Sequence, residues 1–257
     1  MLLAFCSFSA AQPEKVPRIG FISVSSAIDP AFLDGLRQLG YIDKKTILIE
    51  HRSSMGKLDR LADLATELVD LKVDLLVTQG TPAAHAAKKA TRSIPIVMAT
   101  TADAIGAGLV QSLARPGGNV TGLSFLSPDL GTKGLELLKE TIPRMARFVF
   151  LANPAIVTEA TVWKHIQAAG ASLGVRPELI ELRSRDDFET AFANARSRAD
   201  SAFLSANTSF IPYRQEIGAL AMTYRLPVIY AWKDYPEAGG LMSYGPSLPD
   251  LFRRAAI

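Results

Sequence analysis

Val77–Ala90 reads VTQGTPAAHAAKKA. It continues an apolar run, VDLLV, that stops at Thr78, Gln79 and Gly80 and passes through Thr81-Pro82 into an Ala-rich segment without breakers. A β-rich run, a glycine turn and a helix in that order make one strand–turn–helix unit. Thr81 is expected to cap the helix, and Pro82 suits its first position, where no amide partner is needed. The first turn carries only small residues, so its free amides and the helix dipole would favour a carboxylate or phosphate. Two readings stand at this point: ordinary capping, and a helix start kept bare for a ligand. No GK[ST] follows and GxGxxG is absent, so nucleotide binding is unsupported.

Outward from this unit the same alternation repeats. RIGFISV, TILIEHR and IPIVMAT read as strands; AFLDGLRQLG and Leu58–Leu71 carry apolar residues at helical spacing. After RPGGNVTGLSF (Arg115–Phe125) the alternation restarts, with strands at RFVFLANP, ELIELR, SAFLSAN and LPVIYAW and helices between them. Alternating strands and helices call for right-handed βαβ units and parallel sheets. Two such runs, split near residue 122, predict an α/β protein of two doubly wound lobes. The helix-breaking RPGG and EAGG mark the expected crossings between lobes. The expected division is therefore 16–121 plus 241–257 for the first lobe and 122–240 for the second, with LMSYG (Leu241–Gly245) returning to the first.

The 257 residues suffice for two lobes of ordinary size, and 48% hydrophobic with 21% charged residues is a globular balance. A net charge of +3, scattered and without a basic stripe, predicts no nucleic-acid partner. Cys6 is the only cysteine, which excludes an internal disulfide and Cys-cluster metal sites. His51, His85 and His165 form no HxxxH or HExxH pair, so no metal is expected.

The N-terminus, MLLAFCSFSAAQPEK, is apolar to Phe8 and then turns small at Ser9-Ala10-Ala11. That pattern predicts a signal-peptide remnant over 1–11, export to the periplasm and a mature start near Gln12. Phe5 before Cys6 is a poor match to a lipoprotein signal, so no lipid anchor is expected.

Ligands of parallel α/β sheets sit outside the carboxyl ends of the strands. Those ends are rich here in hydroxyls and amides: Ser25 and Ser26; Thr78, Gln79, Gly80 and Thr81; Thr101 and Asp103; Asn153; Asn207. They suit holding a small polar molecule without strong acid–base chemistry. Asp103 is a candidate for a ligand amine, and Trp232, at a strand end, for stacking on a ligand ring. No GxSxG elbow and no close nucleophile–base pair is evident, so no catalytic residue and no cofactor are expected.

Several blocks resemble a known family. They are F-x-x-G-L-R-x-L-G-Y (Phe32–Tyr41), D-R-L-x-x-L-A-x-E-L-V (Asp59–Val69) and K-V-D-x-x-V-T-x-G-T-P-A-A (Lys72–Ala84). With them come G-L-V-x-S-L-A-R-P-G-G-N-V-T-G (Gly108–Gly122) and E-A-G-G-L-M-S-Y-G-P (Glu237–Pro246). The chain thus resembles the extracytoplasmic substrate-binding proteins of ABC importers, in the tryptophan/tyrosine-binding-like group. The resemblance implies a type I periplasmic-binding fold, closing as a monomer on an amino acid or similar carboxylate and handing it to permease transmembrane subunits. It places the cleft among the loops after Val24, Val77, Ala99, Ala206 and Tyr230. Family members carry Asp-Pro where this chain has Asp103-Ala104, and they continue past RRAA with a helix and a further crossover. The rival functional readings are a ligand-sensing ectodomain and an α/β enzyme.

Overall fold

The computed structural model describes residues 16–25 and 27–257. Ser26 and the expected leader over 1–11 lie outside the described residues. The first run builds β1 (Arg18–Ser23), α1 (Pro30–Gln38), β2 (Leu48–Ser53), α2 (Leu61–Asp70), β3 (Leu75–Gln79), α3 (Thr81–Ala90), β4 (Ile96–Ala102) and β5 (Val120–Phe125). The second builds α4 (Ser127–Thr141), β6 (Arg147–Ala152), α5 (Val157–Leu173), β7 (Arg176–Glu181), α6 (Phe188–Arg198) and β8 (Ser201–Leu204). It ends with α7 (Arg214–Thr223), β9 (Val228–Tyr230), α8 (Asp234–Glu237), β10 (Met242–Ser243) and α9 (Leu248–Ala255).

All strand pairs are parallel, in two five-stranded sheets ordered β2-β1-β3-β4-β5 and β7-β6-β8-β9-β10. Counted within each lobe, the two orders are the same, 2-1-3-4-5. This is the two-lobed α/β fold of type I periplasmic-binding proteins, as the alternation and the resemblance together imply. The helices form because their apolar residues line one stripe: Leu61, Leu64, Ala65 and Leu68 of α2 are buried at helical spacing. With Ala83, Ala84 and Ala87 of α3 they build one core layer of the first sheet, and Phe32 and Leu36 of α1 with Leu251 and Phe252 of α9 belong to another.

The chain crosses between lobes one strand later than the glycines suggest. Val120–Phe125 pairs with β4 and stays in the first sheet, so the boundary drawn at 121/122 falls inside a strand. Met242-Ser243 pairs with β9, so LMSYG belongs to the second sheet rather than the first. RPGG and EAGG each break the chain before a sheet's last strand. The helix after that strand makes the crossing. α4 leaves the first sheet and packs on α5; α9 leaves the second and packs on α1. Each helix seals the partner lobe. The α4–α5 seam depends on Gly131: a Cβ there would sit 2.6 Å from Val162 Cγ1, inside van der Waals contact.

Candidate ligand-binding cleft

In a sheet ordered 2-1-3-4-5 the loops after strands 1 and 3 diverge and leave a crevice. The two crevices face each other. Val24, Gly80, Thr81 and Pro82 line one wall with Thr100 and Ala102 of β4. Phe150, Thr158, Glu159, Phe203, Ser205, Asn207 and Thr208 line the other, and Phe125, Ser127 and Leu130 close one side. The space between them is ≈ 640 Å³ counted out to its mouth. A Cβ built on Gly80 would lie 3.7 Å from Thr208 Oγ1, so the two walls stand one side-chain carbon apart there.

The first wall is backbone. Gly80 takes φ 89°, a conformation open to glycine at little cost, which turns β3 directly into α3. Its amide is fixed by Thr100, through the carbonyl at 2.8 Å and the hydroxyl at 3.2 Å. Thr81 is already helical, and no side chain caps α3. This corrects the expectation that Thr81 is the cap. Because Gly80 makes the turn, the Thr81 hydroxyl is free to reach β4, accepting from the Ala102 amide at 3.2 Å and approaching its carbonyl at 3.4 Å. No side chain caps the helix start; Pro82 has no amide and the Ala84 amide bonds the Gly80 carbonyl at 3.1 Å, which leaves the Thr81 and Ala83 amides unspent within the helix.

The second wall carries aromatic rings and one acid. Phe150 and Phe203 pack with centroids 5.6 Å apart. Glu159, in the first turn of α5, is 7% exposed, and its Oε2 accepts the Asn153 amide at 2.5 Å. Burial pushes its carboxyl up to about 8, against the weaker downward pull of the Asn153 amide and the Ser205 side chain. No charged side chain contributes. Ser127 and Ser205 are 4% and 2% exposed; the Ser205 hydroxyl leans on the Glu159 carboxyl, and the Ser127 hydroxyl has no hydrogen-bond partner among the described residues.

The residues singled out in the sequence divide. Gly80, Thr81 and Asn207 meet in this cleft. Ser25 and Gln79, joined by a 2.7 Å hydrogen bond, line an adjacent outer cavity with Asp29, Arg214 and Asp234. Asn153 stands behind the cleft, its amide on Glu159 and its side-chain oxygen on the Ala155 amide. Thr78 and Thr101 are wholly buried in their strands and line neither cavity. Asp103 lines neither cavity: with φ 43° it closes its own turn, accepting the Gly106 amide at 2.9 Å. Trp232 lines neither cavity either. It is fully buried and meets Phe125 edge-on at 5.3 Å, supporting the cleft wall from behind. Sequence reasoning missed Glu159, Ser127, Ser205 and the phenylalanines; the signal that could have flagged the phenylalanines is their place at or near strand ends.

Among the described residues no group of three or more His, Cys, Asp or Glu could hold a metal ion, and no helix is long and apolar enough to cross a membrane. The model of a family described as ABC transporter substrate binding protein matches residues 23–256. The chain belongs to that family. Its members hold ligands rather than transform them, which sets the enzyme reading aside. A tyrosine-binding protein of Clostridioides difficile (strain R20291) is 27% identical over 217 residues, 83% of this chain and 61% of that relative; the chain thus spans about three-fifths of its length. The crystal structure of an ABC domain in complex with L-Trp, from Streptococcus pneumonia, superposes with TM-score 0.85 at 26% identity, over 94% of this chain and 83% of that one. The ligand-free, open structure of CD0873, a substrate-binding protein of Clostridium difficile, gives 0.60 at 25% identity over the same shares.

Proposed function

We propose that this substrate-binding protein is the extracytoplasmic receptor of an ABC importer, capturing an amino acid with an aromatic side chain in the inner cleft. It works as a single chain, exported to the periplasm, and presents the closed, loaded form to the permease transmembrane subunits. One observation carries this reading: the bare start of α3 stands across a narrow cleft from the Phe150–Phe203 wall. The helix start suits a carboxylate and the rings suit an apolar, flat side chain. The L-Trp and tyrosine ligands of its relatives have both parts.

A thermal-unfolding screen of the purified chain against L-tryptophan, L-tyrosine, L-phenylalanine, L-leucine, sugars and nucleosides tests it. A ligand at a hundred times its Kd stabilises the folded state by about 2.7 kcal/mol, a shift of several degrees. Aromatic amino acids should give the largest shift. A shift with a sugar or nucleoside and none with any amino acid would overturn the reading.

A further inference from the structure

The cleft holds a buried acid for which the described residues supply no cation. Glu159 sits in the wall at 7% exposure, with one oxygen on the Asn153 amide and no ion-pair partner among the described residues. Beside it, the buried Ser127 hydroxyl has no partner among the described residues, and the buried Ser205 hydroxyl has none but Glu159 itself. Buried polar groups are rarely left so unless something outside the chain completes them. The elements facing Glu159 bring no charge to it. α4 contributes Ser127 and Leu130, the turn after β8 contributes Ser205–Thr208, the first lobe contributes Gly80–Pro82 with Thr100 and Ala102, and the rest of the wall from α5 is Ile156, Thr158 and Val162. A carboxyl and two hydroxyls together form an acceptor-rich pocket, and a primary ammonium has three N–H donors to fill it.

We propose that Glu159, with the Ser127 and Ser205 hydroxyls, is the receptor for the ligand's cationic amino group, and that it decides between amino acids and the matching acids that lack the amine. The inference rests on the reading that an aromatic amino acid occupies this cleft. It fixes the ligand's direction: carboxylate on the first lobe's helix start, ammonium on the second lobe's acid. It also links capture to pH. In the cleft without ligand, burial holds the Glu159 proton up to about pH 8, and the arriving ammonium favours the ionised form. As pH falls below 8, capture must displace that proton. Affinity for the amino acid then falls by up to about tenfold per pH unit, and affinity for the amine-free acid does not.

The test is calorimetric titration of the wild-type chain and Glu159→Gln with two ligand pairs at pH 6 and pH 8. The pairs are L-tyrosine with 3-(4-hydroxyphenyl)propanoate and L-tryptophan with indole-3-propanoate. Glutamine keeps the volume and an acceptor for the Asn153 amide, and binding of a propanoate by the variant verifies its fold; Glu159→Ala is the second variant. The wild type should prefer the amino acid, and Glu159→Gln should lose roughly ten- to hundredfold of that preference, the worth of a charge-assisted hydrogen bond. If the variant keeps the wild-type preference, or the wild type binds both members of a pair equally at pH 8, Glu159 is not the receptor, while the aromatic-ligand reading stands. If the wild type binds no member of either pair, that reading falls and this inference with it.

Discussion

The two lobes share one strand order and seal each other with exchanged helices, yet their cleft walls have opposite chemistry. The first lobe presents backbone: Gly80, a bare helix start and a Thr81 hydroxyl tied back to β4. The second presents side chains: two phenylalanine rings, the Ser127 and Ser205 hydroxyls and the buried acid Glu159. One wall is rich in donors and the other in acceptors. The repeated topology decides where the cleft lies, because it sets two switch points face to face. The loops decide what the cleft can hold, and they differ. A zwitterion with an apolar side chain matches both walls at once.

The comparison can be broken first at the aromatic wall. Phe203→Ala removes a side chain that is 2% exposed and stacked near Phe150, and should destabilise the chain by about 3–5 kcal/mol, read by denaturant unfolding. A loss below 1 kcal/mol would show that this wall is not packed as described. The charge of the second lobe comes next. Glu159 binds its proton more tightly folded than unfolded, so its contribution to stability is fully present below about pH 4.5 and is lost as pH rises through about 8. Without ligand, wild type should lose stability relative to Glu159→Gln across that window, on the order of 1.4 kcal/mol per pH unit at most. Thermal unfolding at pH 5, 6.5 and 8 reads the difference; parallel curves would contradict the buried neutral acid. The smallest effect belongs to the first lobe. Thr81→Ala should cost about 1 kcal/mol, the worth of one hydrogen bond to β4. It should leave ligand affinity within about threefold, because the amides and not the hydroxyl face the ligand. Thr81→Ser, which keeps the hydroxyl, should restore the stability.

The alternation of strands and helices made both lobes legible in the sequence, and VTQGTPAAHAAKKA marked the bare helix start before any coordinates. The local detail of that turn was not legible. A threonine before a proline has the composition of a cap, but Gly80, at φ 89°, makes the turn and carries Thr81 into the helix. The lobe crossings were misplaced for a related reason: RPGG and EAGG break the chain clearly, but only strand pairing tells whether a break precedes or follows the last strand. Glu159 gave no signal at all. An acid in the first turn of a helix reads as an ordinary partner of the helix dipole. It gains its meaning from burial among residues distant in sequence, chiefly the end of β8 and the start of α4. Trp232 and Asp103 misled in the opposite direction. Both sit at strand ends, where ligand contacts are found, and the chain turns each of them inward or onto itself.

The central claim is that the two walls hold opposite ends of one ligand, and a crystal structure of the chain with L-tyrosine or L-tryptophan tests it most directly. The account predicts the carboxylate against the first free amides of α3, the ring against Phe150 and Phe203, and the ammonium within about 3.2 Å of Glu159. A ligand bound in the reverse direction, or lodged in the outer cavity beside Ser25 and Gln79, would contradict it.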